Sequence, residues 1–477
     1  MVVTNVIPGA GTTAGNALEK IIKSCGVFYE INFLVVGCNI SIDPQPVTPY
    51  RTFFTHGPQE DWSALAPFSH IAEAIAGFEA KKIGRRINSL IKKLSPEFVI
   101  LDIQSHSVLL SLEKVDFGTS KSIIVLWDHW SWRYEVFNSS NSLKCKLDLI
   151  REKLLRLSEK IVVPSQAFKQ HLIQHHRVIE DNVVVLYLPI EKSTSKFLPG
   201  PAARHTNKTR IVGFAGQQYA QKELRDLLQA VERINDLGTQ EYKIEVHIFS
   251  KDKALVEERN LVHKGFVNPL LLVEKLIECE ILFLPYPFAS NLKFISELSF
   301  PSKFTSYLES RRPVIFYGPS KSPLSQLLFE RHYPFLIGSP SIGTLVHVLY
   351  RALDNLELQY RAETIIEDLI NEDFSVSNFK NGLDQIGLLN LFELQQVSVQ
   401  NSSKMIVWNP RLFSNGLLRV ISPLLPLFLK MRLIRHRLSF SKILFFLAEK
   451  LKVYFELRNI RQNVNIEIEK DWQKGTI

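Results

Sequence analysis

One loop of the sequence combines the residue types and the position that anion binding requires. The segment 287–300 is about 14 residues long, whereas connections between strands and helices usually take two to six. It leads to a helix start at Pro301, where unpaired backbone amides favour negative charge. Its polar side chains are those of Asn291, Lys293, Ser296 and Glu297. These residues predict a phosphate-binding loop; the alternative is a solvated surface loop before a capped helix.

The flanking segments predict a strand, a helix and a second strand. Residues 281–286 form a short apolar run, typical of a strand buried on both faces of a parallel sheet. A helix is expected over 301–308, with Ser299 or Ser302 as its cap, and a strand over 314–317. Because such crossovers are right-handed, the loop lies at the carboxyl end of its strand, where α/β sheets bind ligands.

The segment PSKFTSYLESRRPVIFYGP, residues 301–319, resembles the donor-binding half of GT-B glycosyltransferases. The similarity is to the retaining, nucleotide-sugar-dependent superfamily (group 1, family 4-like), in the branch with a P-S-K signature. The matching positions are Pro301, Lys303, Tyr307, Leu308, Pro313 and Val314. Arg311 stands where glycine is usual, and Ser306 where a glutamate often holds the donor ribose. The resemblance implies an α/β protein with two Rossmann-like domains whose parallel sheets face each other across a cleft.

A second similar segment, RIVGFAGQQYAQKEL, predicts a strand over 210–215 and a long helix from about Lys222. It preserves the family's spacing of six residues between a glycine, here Gly216, and a lysine, here Lys222. Gln217 occupies the position of the family's arginine. The resemblance implies that Lys222 and Lys303 neutralise the donor diphosphate and act in catalysis. A first-turn lysine without an anion would be disfavoured by the helix dipole.

A third similar segment, KSIIVLWDHWSW, predicts a strand that ends in charged and aromatic residues. Asp128 and Trp130 match the strand end of the same branch, and Ser131 replaces a proline. The resemblance implies that Asp128 and His129 face the cleft near the transferred sugar as catalytic residues. For His129, the alternative is a hydrogen-bonded structural histidine among tryptophans.

The resemblance extends to further residues on both sides of the cleft. Residues 265–267 are expected to lie against the nucleotide base. All implied donor-binding positions are Gly216, Gln217, Gly265, Phe266, Val267, Pro285, Tyr286, Glu297, Pro301, Ser302 and Ser306. An N-terminal loop with Gly9, Gly11 and Gly15 is expected on the acceptor side. Its G-x-G-x-x-x-G spacing differs from the dinucleotide fingerprint, so a turn is the alternative.

The 477 residues suffice for two domains and an extension. The expected division is an acceptor-side domain over 1–192, a linker over 193–209, a nucleotide-sugar-binding domain over 210–390 and a basic helical extension over 391–477.

Within the domains, a helix is expected over 71–94, an irregular excursion over 44–62 and a helical stretch over 342–369. A helix around 371–391 is expected to return to the first domain, and Ser165 is expected to cap a helix or to match the family's polar position.

Histidines and cysteines give little support for a metal site. His171, His175 and His176 include an i, i+4 pair, which could bind zinc, but a solvated helix face is the preferred interpretation. The four cysteines form no C-x-x-C pair, which favours a reduced, cytoplasmic setting. The N-terminus has neither a basic region nor a sustained apolar core, so no signal peptide is expected.

The positive charge of the protein is concentrated at its C-terminal end. The last 77 residues hold 14 Lys and Arg against five Asp and Glu, which accounts for the whole net charge of +9. Residues 411–460 combine this charge with apolar residues at helical spacing, as in a helix lying on an anionic membrane surface. The alternative is a helix packed on the body of the protein. Nucleic acid is not expected as a partner, because the aromatic residues are not interleaved as stacking platforms.

The expected function is a metal-independent, hexosyltransferase-like transfer of sugar from a nucleotide sugar to a saccharide or lipid-linked glycan. The nucleotide sugar is a substrate, and no cofactor is expected. The setting implied is cell-surface polysaccharide biosynthesis, at the cytoplasmic face of the membrane. Two alternatives are a catalytically inactive GT-B scaffold, which would explain Gln217 and Ser306, and a nucleotide-sugar 2-epimerase, which would need carboxylates and a histidine converging in the cleft.

Overall fold

The structure is a computed structural model that describes residues 1–4, 18, 20–21, 32–37, 51–56, 69–136, 139–190, 208–238, 240–252, 258–388 and 406–407. Several predictions concern residues outside these ranges. They are the glycine loop with Gly9, Gly11 and Gly15, nearly all of the linker, and the basic segment 411–460.

The described strands form two sheets in which every pairing is parallel. The strands are β1 (Val2–Thr4), β2 (Asn32–Gly37), β3 (Arg51–His56), β4 (Phe98–Asp102), β5 (Lys121–Val125), β6 (Lys160–Val163), β7 (Val183–Val185), β8 (Thr209–Ala215), β9 (Lys243–Phe249), β10 (Leu261–His263), β11 (Ile281–Pro285), β12 (Val314–Tyr317), β13 (Leu336–Ile337) and β14 (Ile406–Val407). The first sheet has the order β14-β3-β2-β1-β4-β5-β6-β7, and the second β10-β9-β8-β11-β12-β13. Every residue of β4, β11 and β12 is buried, as their continuous apolar sequences predict.

Helices connect the strands and cover the sheets. They are α1 (Ser69–Leu94), α2 (His106–Ser111), α3 (Ser131–Val136), α4 (Asn141–Leu157), α5 (Gln166–His176), α6 (Gln221–Leu237), α7 (Pro269–Ile277), α8 (Lys293–Leu298), α9 (Lys303–Ser310), α10 (Pro323–Glu330), α11 (Ile342–Asp354), α12 (Leu356–Asn371) and α13 (Val376–Gln385). Among the helices of the described residues, none combines the length and the apolarity needed to cross a bilayer.

The structure corrects four details of the sequence interpretation. The stretch 342–369 is two helices, because the Asn355 side chain accepts a hydrogen bond from Leu358 N at 3.0 Å and starts α12. The loop 287–300 contains a 3₁₀ turn and helix α8. The irregular excursion over 44–62 contains strand β3, paired with β2. Within the extension expected to be helical, Ile406–Val407 forms a strand beside β3.

Two segments from the second half of the chain pack against the first domain. Helix α13 returns there as predicted, and its Gly382 lies so close to Leu186 that an added Cβ would be 2.5 Å from Leu186 Cδ1. Helix α8 packs on α5 and α3. Ser165 caps α5 by accepting from Phe168 N at 3.1 Å, and its hydroxyl donates to Leu298 O at the end of α8. One serine therefore joins the two halves of the molecule.

Two glycines of α1 predict opposite responses to the same substitution. A Cβ on Gly84 would lie 2.5 Å from Ser111 O, where α1 packs on α2, whereas a Cβ on Gly77 would meet no atom within 4 Å. We expect Gly84→Ala to lower the free energy of unfolding by about 1–3 kcal/mol through overpacking. Gly77→Ala should raise it by about 0.5–1 kcal/mol, because alanine favours the helix. Urea unfolding of both variants checks the signs; equal effects would contradict the packing described here.

Candidate functional site

Lys303 and Gly216, predicted to share the donor site, are in contact at the carboxyl edge of the second sheet. Lys303 is the first residue of α9, and Gly216 follows β8 with a φ of +100°. A Cβ on Gly216 would lie 2.8 Å from Lys303 Cε, so the position requires glycine for its backbone angle and for space. The Lys303 ammonium donates to Gln217 O at 2.6 Å. The loop after β8 is therefore attached to the start of α9.

Tyr307 holds the same elements together from below. Its hydroxyl accepts from Ala215 N, at the end of β8, at 2.9 Å. The same hydroxyl lies 3.3 Å from Phe283 O of β11, to which it donates. The tyrosine of the family-like pattern is thus a buried support that fixes α9 against two neighbouring strands.

The environment of Lys303 makes its positive charge costly. The ammonium lies 4.5 Å from the ring centroids of both Phe214 and Tyr219. The Lys303 side chain is only half-buried by its exposed area, but the dense packing around its ammonium lowers the pKa of Lys303 to about 7. The charge of Asp252 partly offsets this effect. A negatively charged ligand next to this ammonium would stabilise its protonated form.

Gln218 and Asp252 belong to the same loop system, and the sequence interpretation did not identify them. Asp252 accepts from Gln218 N at 2.9 Å through its carboxylate, and its carbonyl accepts from Gln218 Nε2 at 2.9 Å. His263 Nε2 lies 2.9 Å from the same carbonyl. Gln218 is buried, and its Oε1 has no hydrogen-bonding partner among the described residues. The available signal was the position of Asp252 shortly after the end of a strand.

Lys222 lies at the start of α6 but has a local partner. Its ammonium lies 3.1 Å from Asp226 Oδ2, one turn further along α6, and its side chain is 69% exposed. The Tyr317 hydroxyl at the end of β12 donates to the same carboxylate oxygen at 3.0 Å. The pairing explains how a lysine is tolerated in this first turn without an anion. Its role at a diphosphate stays a prediction.

The predicted nucleotide-base segment follows β10. Gly265 has a φ of +75°, a conformation that favours glycine. Phe266 next to it is 65% exposed, whereas Val267 packs against the core of the second domain. The turn thus presents an aromatic ring to solvent.

Asp128, from the first sheet, lies near the aromatic residues of the second. It is in the connection between β5 and α3, and Gln104 Nε2 donates to its carbonyl at 2.8 Å. Burial raises the pKa of Asp128, an effect that the Ser299 hydroxyl and Arg133 partly offset. Packing around Tyr219, which is still 38% exposed, and then the charge of Asp128 raise the pKa of its hydroxyl.

The same charge acts on Tyr286. Burial is the main cause that raises the pKa of Tyr286, and the charges of Tyr219 and Asp128 raise it further. The Tyr219 and Tyr286 rings are 6.3 Å apart, and Tyr219 also lies against Lys303. Asp128, Tyr219 and Lys303 therefore form one cluster through Tyr219, whose ring contacts Lys303 and whose hydroxyl is subject to the charge of Asp128 from the first domain.

His129 is held differently from its neighbour. Its ring stacks between Trp130 at 4.3 Å and Phe294 of α8 at 4.5 Å. Its Nδ1 accepts from Ser131 N at 3.3 Å and lies 2.9 Å from Ser131 Oγ, which places the ring proton on Nε2. Burial and then the charge of His171 lower the pKa of His129 to about 3, so the ring is neutral at pH 7. This geometry favours the structural alternative for His129; its catalytic role stays a prediction.

The remaining donor-side residues lie around the loop before α9. Glu297 pairs with Lys293 at 3.8 Å and Tyr286 donates to Ser299 O at 3.0 Å, so the loop is internally bonded. Pro285 ends β11, Pro301 is buried and Ser306 is half-buried on α9. Of the two predicted caps, Ser302 does occupy the N-cap position of α9 but makes no side-chain capping bond, and Ser299 ends α8.

The three histidines of α5 are more than a solvated face, because they line a cavity with His129, between helices of both domains. The His171 ring lies 4.6 Å from His175 and 5.5 Å from His176. Across the described part of the chain, no group of three or more His, Cys, Asp or Glu side chains has the geometry of a metal site.

Comparison with known proteins identifies the architecture. No protein-family model matches the chain, and no curated protein matches its sequence. A solved glycosyltransferase from Rickettsia africae ESF-5 is similar at 12% sequence identity and a TM-score of 0.55, over 82% of this chain and 98% of that chain. The Q202A variant of Os79 from O. sativa, solved in complex with UDP, is similar at 11% identity and a TM-score of 0.50, over 81% of this chain and 99% of that chain.

These likenesses, with the two parallel sheets, establish the class of fold: the chain has the GT-B fold, two Rossmann-like domains with a cluster of residues from both sheets between them. The fold expected from the P-S-K segment is confirmed.

The packing around Lys303 predicts an unusual titration. In protein whose lysines carry ¹³C-methyl groups, we expect one resonance to titrate near pH 7, because the enclosed ammonium loses its proton easily. The resonance is assigned to Lys303 if it is missing from the spectrum of the Lys303→Arg variant. A Lys303 midpoint at the ordinary value of about 10.4 would contradict the enclosure of this ammonium.

Proposed function

We propose that this protein is a glycosyltransferase that moves a sugar from a nucleotide-sugar donor to a hydroxyl of a saccharide or lipid-linked glycan. The observation that carries the proposal is the Lys303 ammonium, which lies against Gly216 and Gln217 at the carboxyl edge of the second sheet. In α/β folds this edge is where phosphates bind. Asp128 of the other domain belongs to the same cluster.

The cluster contains groups that suit both halves of a sugar transfer. As the bond between the sugar and the diphosphate breaks, negative charge grows on the departing phosphate, and a fixed ammonium nearby stabilises it. Lys303 would supply this charge. As the new bond to the acceptor oxygen forms, the hydroxyl proton must leave, and a carboxylate with a raised pKa is a good acceptor for it. Asp128 would take that proton.

We further propose that the reaction needs neither a metal nor an organic cofactor. The N-termini of helices α6 and α9, with Lys222 and Lys303, would provide the positive charge that a metal would otherwise supply to the diphosphate. The loss of this charge in substituted proteins is therefore the sharpest test.

Binding of UDP, the nucleotide present in the Os79 structure, tests the donor site. We expect Lys303→Met to weaken UDP binding about 10- to 150-fold, the range for losing a hydrogen bond to a charged group of about 1.5–3 kcal/mol. Exposed Lys380 on α13 gives the matched control, Lys380→Met, which should bind as the wild type does. Isothermal titration calorimetry measures both.

The same interaction predicts a pH dependence. The free protein carries a Lys303 with a pKa of about 7, so the charged form becomes about tenfold scarcer with each pH unit above 7. UDP affinity should fall accordingly between pH 7.5 and pH 9, and Lys303→Met should abolish this slope. An affinity that is independent of pH in the wild type would exclude Lys303 from the phosphate site.

Failure to bind any nucleotide would favour the inactive scaffold. Gln217 stands where the family has arginine, so this position provides no positive charge for a phosphate. Its backbone carbonyl accepts a hydrogen bond from Lys303. A panel of nucleoside diphosphates and nucleotide sugars, measured by thermal shift on the wild type, decides this. No stabilisation by any of them contradicts the transferase proposal.

One observation favours a second candidate, the nucleotide-sugar 2-epimerase. Carboxylates and histidines do converge between the domains, where Glu152 and Glu297 line the same cavity as His129 and His171. Product analysis separates the two reactions: an epimerase converts the nucleotide sugar alone, whereas a transferase releases the nucleoside diphosphate when an acceptor is present.

For the basic C-terminal segment we propose contact with an anionic membrane surface on the cytoplasmic side. Its charge supports this, since each Lys or Arg near such a surface contributes about 1 kcal/mol. In the full-length chain, we expect replacement of Arg432, Arg435 and Arg437 by Gln to lower the affinity for phosphatidylserine vesicles about 100-fold. Co-sedimentation with the vesicles measures this affinity.

The matched control replaces Lys92, Lys93 and Lys114 of the first domain by Gln, which should leave vesicle binding unchanged. Equal binding by both triple variants and the wild type would rule out the membrane contact of the C-terminal segment.

A further inference from the structure

A cavity of about 560 Å³ lies between the domains, and its lining includes His129, the residue directly after Asp128. We call it the histidine cavity and define it by His129, His171, His175, His176 and Phe294. Its walls come from α4, α5 and the connection after β5 on one side, and from α8 on the other. Ligand sites in proteins usually have volumes of about 300–1,000 Å³.

The charges that line the histidine cavity are paired, and they disfavour an anion. Buried Arg151 pairs with Asp148 at 2.6 Å, and Lys293 pairs with Glu297 at 3.8 Å. The third carboxylate, Glu152, is bonded to His176. Because three carboxylates face two permanent cations, a diphosphate would gain little here. The cavity is therefore not a second phosphate site.

The neutral histidines offer both donors and acceptors of hydrogen bonds. Burial, followed by the charges of His175 and His176, lowers the pKa of His171 to about 4, and that of His129 is about 3. At pH 7 both rings are neutral, so each carries one N–H group and one acceptor nitrogen. The acceptor nitrogen of His129 is already bonded to Ser131, which leaves its Nε2–H as a donor, whereas His171 can offer both a donor and an acceptor. His171 is central, with its ring 5.1 Å from His129 and 5.9 Å from Phe294. Groups that both donate and accept are matched by hydroxyls.

An aromatic ring completes the cavity. Phe294 stacks on His129, yet its side chain remains 45% exposed. An exposed aromatic ring beside hydrogen-bonding histidines suits a ligand with one apolar face and a hydroxylated rim, which is the shape of a pyranose. Lys293 and Glu297 on the same helix add a paired donor and acceptor.

We propose that the histidine cavity binds a neutral sugar unit of the acceptor chain, next to the reacting hydroxyl. This assignment rests on the proposed transferase function, because it makes the cavity an extension of the acceptor site. His129 follows Asp128 directly, so the cavity begins one residue away from the group that would take the acceptor proton. A chain bound there would be aligned along the interface between the domains.

Binding of neutral trisaccharides of glucose, galactose, mannose and N-acetylglucosamine tests the assignment. Saturation-transfer NMR detects binding, and calorimetry measures affinity. We expect at least one of the four to bind the wild type at about 10 mM or below. Phe294→Ala and His171→Ala should each weaken it at least about tenfold. Phe329→Ala removes a ring that is 72% exposed on α10 and should leave saccharide binding unchanged.

UDP binding measured on the same samples separates the two proposals. Wild type that binds UDP but none of the four trisaccharides overturns the cavity assignment and leaves the transferase intact. Saccharide binding that survives both cavity substitutions also overturns it. The cavity assignment is supported if both variants lose saccharide binding while their UDP affinity and thermal stability stay unchanged. If neither the wild type nor the variants bind UDP, the transferase proposal fails instead.

Discussion

The hydrogen bond from the Lys303 ammonium to Gln217 O is the interaction on which the second domain's site depends. It requires glycine at position 216, because any side chain there would collide with the lysine stem. It also requires α9 to start directly below the loop after β8, which Tyr307 secures by bonding to two strands. An ammonium enclosed by Phe214 and Tyr219 has lost much of its hydration, so an anionic ligand would restore a favourable environment for its charge.

The second constraint is the contact between the domains, which α8 makes. The Ser165 hydroxyl bonds to its last carbonyl, and Phe294 stacks on His129 of the first domain. Asp128 directly precedes His129 in the connection after β5. Helix α13 reinforces the arrangement by packing on Leu186.

The sequence predicted strands such as 281–285 and 314–317 well, because they are short apolar runs buried on both faces, whereas it missed β3. The sequence also predicted that Gly216 and Lys303 share one site. That prediction came from the resemblance to GT-B glycosyltransferases and not from the spacing of the two residues in the chain. Arg311 shows why glycine is usual at its position, since its φ is +54°. Helix α8 was missed because six residues within a polar loop carry too weak a periodicity. Asp252, Gln218 and the histidine cavity depend on contacts between distant segments, which no local pattern encodes.

The central claim is that a nucleoside diphosphate binds against the Lys303 ammonium. The most direct measurement is the Lys303 titration, followed by ¹³C NMR of the methylated protein, with and without saturating UDP. A bound diphosphate stabilises the charged form, so the midpoint should rise from about 7 by at least about one pH unit, each unit corresponding to 1.36 kcal/mol. A midpoint that stays the same in the presence of bound UDP would contradict the account.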